Sequence, residues 1–462
     1  MDFETTTTAG GIIATSHRSI PTKLRKGSFS LSTLGIRNVV EHIPSLNMRR
    51  LRQEKYIFLS ILLSIKRANS RKPQIPETLE SLVYLLPCYN ETSAELMNSL
   101  NSLAEQKQID AHKQAIFIVC DGRCKGTGMT KTTADHLAQD IIERPSSMLI
   151  PAAYTSWDGS QMDVEILQGK FRGLPVFCIV KAQNRGKRDG IILVRSFLHK
   201  FNQRSTHPST GILTPRLFAL ATEFLTKSSL ASVEYVVGMD ADTRFDHECV
   251  FNLMQTVREG DQVVGVSGYV LADPTTSKPY SLSYLYQNAE YTIGQHRRRL
   301  RQDLTSRKVT CLPGCCQLLR VTENTCGDDV LGQFGYHPTD KDGLFRTIRS
   351  MMSEDRDHVC LVLRENADVE VRQCLRARAF TSVPQSFMVF LCQRRRWTLG
   401  PITSDVLLVA RKTTGWVERL SAAASTVDWA VTLSLAFSQW FRMYPNIVIP
   451  QLILTNKTRR HV

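Results

Sequence analysis

The chain reads as an α/β fold, a mixed and mostly parallel sheet flanked by helices, on three observations. Short apolar runs rich in β-branched residues recur from about residue 81, at Leu82–Leu86, Ala115–Cys120, Val176–Val180 and Tyr235–Met239. Helical stretches separate them, at Ser93–Ala104, Lys131–Ile142, Arg188–Lys200 and Thr214–Lys227. Each apolar run ends in a polar or turn-forming segment: Pro87–Asn90, Asp121–Gly122, Asn184–Gly186 and Asp240–Thr243. Strands alternating with helices imply βαβ units. In such sheets ligands lie beyond the carboxyl ends of the strands, so the polar strand ends are where chemistry is expected. Val263–Val270 adds a further strand. Leu282–Gln302 adds a helix whose end is basic through His296, Arg297, Arg298, Arg299 and Arg301.

Composition narrows the class. With 42% hydrophobic and 22% charged residues, the 462-residue chain is neither disordered, collagenous nor a coiled coil. A net charge of +15 favours nucleotides, nucleic acid or acidic lipid as partners. Nucleic acid is disfavoured, because the basic residues are dispersed and no RNA-binding or zinc signature is present. Twelve cysteines without a CxxC pair read as reduced thiols. The N-terminus shows no secretory signal. Tyr56–Ile65 is too short to span a bilayer, and Val427–Phe441 carries Asp428 and is followed by Arg442 and Pro445. Both read as interfacial or buried helices. The expected organisation is a basic, partly flexible arm over 1–79, a catalytic domain over 80–400, and interfacial helices over 401–462.

Five motifs carry the chemistry. Asp240-Ala-Asp242 follows an apolar strand, where two short carboxylates suit Mg²⁺ or Mn²⁺ bridging a diphosphate. Asp121-Gly122 places an acid at a strand end, able to accept hydrogen bonds from a nucleoside. Asn184-Arg-Gly-Lys-Arg188 is glycine-containing and basic ahead of a helix, as a phosphate site would be, without the spacing of a Walker loop. Ser353-Glu-Asp-Arg356 offers either a general base or an ion pair between neighbours, and on its own the ion pair is favoured. Gln393-Arg-Arg-Arg-Trp397 joins planar cations to an indole face, a combination suited to a diphosphate and a sugar ring.

The order of these motifs, Asp-Gly, DAD, EDR, QRRRW, resembles that of the processive family 2 glycosyltransferases. Pro87-Cys-Tyr-Asn-Glu91, Gln287-Asn-Ala-Glu-Tyr291, Cys311-Leu-Pro-Gly-Cys-Cys316 and the Thr-Leu-Gly after Trp397 make the chain similar to the fungal chitin synthases over roughly residues 80–430. The resemblance implies a GT-A fold, a UDP-N-acetylglucosamine donor, a growing β-1,4 chitin chain as acceptor, and inversion. It also implies roles. Tyr89, Glu91 and Asp121 lie at the uridine, and Lys187 at the donor phosphates. Asp242 with Asp240 holds the cation, and Asp355 is the general base. Gln393, Arg396 and Trp397 shape the acceptor and diphosphate site.

Chitin synthases of this kind carry spanning helices after QRRRW, whereas this chain stops at Val462. A truncated product is therefore expected, with a cytosol-facing catalytic domain lying peripherally on the plasma membrane. Two alternatives stay open: a catalytically incomplete fragment or subunit, and another β-glycan synthase such as a hyaluronan synthase. Assembly into a homo-oligomer is also left open.

Overall fold

The computed structural model describes residues 79–126, 128–276, 281–410 and 415–443. The 1–78 arm with Tyr56–Ile65, and everything after 443, lie outside the described residues.

β1 (Ser81–Cys88) leads through a loop into α1 (Ser93–Ala104). Thr92 ends that loop: its Oγ1 accepts the Glu95 N–H, while the Glu95 carboxylate accepts the Thr92 N–H. β2 (Lys113–Cys120) follows. Where one helix was expected over Lys131–Ile142, a four-residue α2 (Thr133–His136) passes into a single π-helical turn, Leu137–Ile141. Next come β3 (Glu143–Thr155), β4 (Gln161–Phe171) and β5 (Leu174–Lys181), then α3 (Lys187–Gln203) and α4 (Pro215–Lys227). β6 (Tyr235–Gly238), β7 (Thr243–Phe245), α5 (Cys249–Val257) and β8 (Val263–Ala272) continue the alternation. α6 (Leu282–Gly294) runs through a π-helical turn, Gln295–Leu300, into α7 (Arg301–Thr305), so the expected long basic helix is deformed where its arginines lie. β9 (Gln317–Arg320), α8 (Glu323–Cys326), α9 (Asp328–Phe334), α10 (Leu344–Met352), α11 (Glu354–Glu365) and β10 (Glu370–Thr381) precede two long helices, α12 (Phe387–Ala410) and α13 (Trp416–Met443).

The ten strands form one sheet in the order β3-β4-β5-β2-β1-β6-β9-β8-β10-β7. Its centre, β5-β2-β1-β6, is parallel, and β8 also pairs parallel with β10; the other pairs are antiparallel. The central strands are covered on both faces, which is why they read as unbroken apolar runs rather than alternating ones. On one face Phe117 stacks on Phe177 and Phe197, its ring centre 5.1 Å from that of Phe177, and Phe224 meets Phe117 edge-on. Each such buried ring contributes about 1.5–3 kcal/mol.

The β3–β4 hairpin was not anticipated. Pro145 and Pro151 argue against a strand in a sheet interior, yet β3 is an edge strand, where proline is tolerated. Because β1, β2, β5 and β6 run in the same direction, their carboxyl ends share one edge. That edge gathers Tyr89–Glu91, Asp121, Asn184–Lys187 and Asp240–Asp242. α12 runs unbroken through Gly400, so the expected division there falls inside one helix. Leu408 within it is buried against Cys360 of α11 and Ala422 of α13. Among the described residues no helix is long and apolar enough to cross a membrane.

Candidate active site

A cleft of about 930 Å³ opens at this carboxyl edge, and all ten residues singled out in the sequence line it. Tyr89, Glu91, Asp121, Lys187, Asp240 and Asp242 come from the strand ends. Asp355 comes from the first turn of α11, and Gln393, Arg396 and Trp397 from α12.

Two glycines shape the strand-end wall. Gly122 and Gly186 have φ of 85° and 82°, conformations in which a side chain is strained. Gly122 turns the chain directly after Asp121, and Gly186 turns it into α3 just before Lys187. Asp121 is nearly buried, and its Oδ1 accepts both the Lys181 ammonium at 2.5 Å and the Arg185 N–H at 2.9 Å. Glu91 accepts the Tyr89 N–H at 2.6 Å, and burial raises its pKa.

The chemistry converges around Gly314, in the Cys311–Cys316 loop. A methyl group placed on Gly314 would lie 2.6 Å from Lys187 Nζ, 2.9 Å from Asp355 Oδ1 and 3.4 Å from Asp240 Oδ1. The missing side chain is therefore what lets these groups meet. Lys187 Nζ donates to Asp240 Oδ1 at 2.6 Å and lies 3.7 Å from Glu354. Burial pulls the Lys187 pKa down, but the Asp240, Asp355 and Glu354 carboxylates outweigh it and hold the ammonium well above the ordinary lysine value. Burial and the neighbouring Glu354 charge push the Asp355 carboxyl up to about 6, against the lowering pull of Lys187. Burial, then Asp240 and Glu91, push Asp242 up to about 7.

Asp242 and Asp240 form an acidic pair in which, among the described residues, only Asp240 makes an ion pair, with Lys187. Among the described residues no third His, Cys, Asp or Glu completes a protein-only metal cage. Two hard carboxylates with room for substrate oxygens fit a divalent ion of the Mg²⁺ or Mn²⁺ type, which is commonly held by one or two carboxylates plus phosphates.

The opposite wall is α12. Arg394 bonds Glu290 at 2.6 Å and its guanidinium sits 4.5 Å from the Trp397 ring, while Trp397 packs on Tyr291 at 5.5 Å. The Gln287–Tyr291 and Gln393–Trp397 segments thus meet in space. The neighbour ion pair expected for Asp355 and Arg356 is absent. Arg356 turns to the buried Asp405, which also accepts from Arg298 at 2.5 Å and Ser425 at 2.9 Å.

Sequence reasoning missed Lys181, Asp189 and Asp405, and it quoted Gly314 and Glu354 within their motifs without giving them a role of their own. Lys181 alone left a trace, as a lysine ending an otherwise apolar strand. Asp405 lies 49 residues from Arg356 in the chain and no local pattern points to it.

A sheet with a parallel centre, its acidic and basic strand ends facing an arginine–tryptophan helix across one cleft, is a fold of the GT-A type. Within that class the chain belongs to the chitin synthase family, whose sequence model matches residues 58–161 and 173–415. Chitin synthase 8 of Gibberella zeae is 41% identical over 362 residues, covering 78% of this chain and 54% of that protein. Chitin synthase 8 of Verticillium dahliae is 39% identical over 386 residues, covering 79% and 63%. The chain therefore spans between half and two thirds of the length of these curated relatives. Among solved structures, the mannosyltransferase PcManGT from Pyrobaculum calidifontis, in complex with GDP-Man and Mn²⁺, aligns over 87% of both chains at 12% identity and a TM-score of 0.45.

Proposed function

We propose that this chain transfers N-acetylglucosamine from UDP-N-acetylglucosamine to the 4-hydroxyl of a growing β-1,4-linked chitin chain, with inversion. The observation that carries this reading is the convergence of Lys187, Asp240 and Asp355 on the space beside Gly314, within a cleft that all ten family-motif residues line. Tyr89, Glu91 and Asp121 hold the uridine. Lys187 and Arg396 draw in the diphosphate, and Gln393 and Trp397 seat the acceptor sugar. Asp355, with a carboxyl near 6, takes the proton of the attacking hydroxyl, since a base works best when its pKa lies close to working pH. Asp240 and Asp242 would hold Mg²⁺ or Mn²⁺, which when bound offsets the negative charge of the departing diphosphate.

The membrane surface is the proposed place of work. Exposed Leu282 and Tyr286 on α6 and Phe387 and Met388 on α12 form an apolar face, with Tyr286 and Phe390 ring centres 6.0 Å apart. Such a face beside basic residues suits an acidic lipid surface. Cells expressing residues 1–462 should release the protein from membranes on high-salt or carbonate washing. Retention after carbonate would mean that it is integral.

The deciding experiment supplies labelled UDP-N-acetylglucosamine to the purified chain. Chitinase-sensitive labelled polymer supports the reading. A product that also requires a second sugar nucleotide points to another β-glycan. Tight UDP binding without any product leaves a nucleotide-binding subunit.

A further inference from the structure

Three arginines of the cleft wall, none of them in the QRRRW segment, have one carboxylate between them among the described residues. Arg298 and Arg299 belong to the π-helical turn Gln295–Leu300, and Arg356 to the first turn of α11. Arg298 donates to Asp405 Oδ2 at 2.5 Å and Arg356 donates to Asp405 Oδ1, so two guanidiniums close on the same buried acid. Arg299 has no acid. Among the described residues its one hydrogen bond is a weak one to the Cys311 thiol, 3.7 Å away. Its Nη1 and the Nε of Arg356 are both shut off from solvent with nothing to donate to. Buried N–H groups without a partner are rare and costly. The charge is unbalanced as well. Burial, then the Arg356 charge, pull the Arg298 pKa below the ordinary arginine value against the opposing pull of Asp405. Three cations facing one anion leave two positive charges unmatched.

The local helix geometry serves this arrangement. Gln295 opens the π-helical turn with its side-chain amide held on the Val270 backbone, by bonds of 2.8 and 2.6 Å. Beyond it Arg297 is exposed, while Arg298 and Arg299 are both half-buried at the cleft. Turns of this kind recur at functional sites. The cation assigned to the donor phosphates keeps other company: Lys187 pairs with Asp240 and lies near Glu354, and neither acid bonds any of the three arginines. We propose that Arg299, with Arg298 and Arg356, forms a second anion site in the cleft, for an oxyanion of the phosphate type, separate from the donor diphosphate. The planar guanidinium fork matches such an oxyanion. Arg299 turns to it at the cost of only the contact with sulfur, and Arg356 keeps Asp405. Inorganic phosphate and the phosphate monoester headgroup of an acidic lipid offer this same chemistry. The assignment goes beyond the UDP-sugar reading and does not depend on it.

Titration calorimetry of the full chain with inorganic phosphate tests the site, with UDP and Mg²⁺ in excess to fill the diphosphate position. Phosphate should bind at one site. Arg299→Gln should weaken it about 10- to 100-fold, the scale of hydrogen bonds to a charged group, with UDP affinity unchanged. Arg297→Gln removes an equal charge from the exposed side of the same turn and should leave phosphate binding as it was. A melting curve checks folding. If Arg299→Gln does not fold, Arg299→Lys keeps the charge, loses the fork and should still weaken phosphate. The source of the anion is read by repeating the titration with phosphatidylcholine vesicles that contain phosphatidic acid. Loss of the phosphate heat assigns the site to a lipid headgroup and its persistence assigns it to the free ion; both uphold the site. No phosphate binding to the UDP-loaded chain, or equal losses in Arg297→Gln and Arg299→Gln, overturns it. A chain that binds no UDP is titrated with phosphate alone, and the same comparison of the two variants decides.

Discussion

Two carboxylates on facing walls of the cleft are held in opposite ways. Asp121, on the strand-end wall, has a buried lysine and a backbone N–H on one oxygen. Asp355, on the helical wall, is denied its own neighbour: Arg356 turns away to Asp405, and burial with the Glu354 charge pushes the Asp355 carboxyl up to about 6. An acid that recognises a ligand gains from a fixed orientation and a settled charge. An acid that moves a proton gains from a charge that changes easily near working pH. The molecule produces the second kind by spending the nearby arginine elsewhere.

This contrast can be broken most sharply at Asp355. Asp355→Asn should lower transfer by about 10²–10⁴-fold, the scale of a lost general base, with UDP affinity nearly unchanged. If affinity falls in parallel with rate, the two walls are not separate in function. Gly314→Ala comes next. The added methyl group would crowd Lys187 and Asp355 together, and a displacement of about 1 Å costs roughly 10²-fold in rate. A variant of normal activity would mean that the convergence at Gly314 has no part in turnover.

The strand-end wall is tested by removing the cation. UDP affinity measured by calorimetry should drop at least about tenfold on adding EDTA, and Asp242→Ala should reproduce the loss, since an acid pair repels a diphosphate unless a divalent ion lies between. Identical isotherms with and without chelator would take Asp240 and Asp242 out of that role. The smallest effect is one of pH. With saturating donor and Mg²⁺, the rate should level off above about pH 7 and fall as the pH drops through 6, because the base must be ionised. At pH 5 about a tenth of the plateau rate should remain, as one pH unit below a pKa leaves about a tenth of the acid ionised. A flat profile from pH 5 to 8 would give the proton to another group.

What could be read from the sequence and what could not divides along the same line. The strands behind Asp121 and Asp240 were legible because burial on both faces demands unbroken apolar runs. Their polar ends marked the site because parallel strands deliver them to one edge. The β3–β4 hairpin was hidden by Pro145 and Pro151, which are tolerated only because β3 is an edge. The support network was illegible for a different reason. Lys181, Asp189 and Asp405 act through contacts between distant elements, such as Arg356 with Asp405, and apart from the place of Lys181 at the end of an apolar strand nothing in their local sequence distinguishes them from surface charges. The family motifs located residues that line the cleft. They said nothing about which oxygen of Asp121 is engaged by Lys181 or where Arg356 points.

Gly400 lies midway along α12, with its backbone seated directly against Ser353, the residue that opens α11 two positions before Asp355. Gln393, Arg396 and Trp397 lie on one side of that seat, and Asp405, Leu408 and the α13 contact on the other. The helix is held on both sides of that seat, by Arg394 on Glu290 and Trp397 on Tyr291 before it and by Asp405 on Arg356 after it. At about 1.5 Å per residue, Gln393 stands roughly 10 Å from Gly400, so a tilt of about 6° would carry it about 1 Å. The contacts on both sides oppose such a tilt, and the bare backbone at Gly400 is what lets α12 lie this close to the turn that carries Asp355.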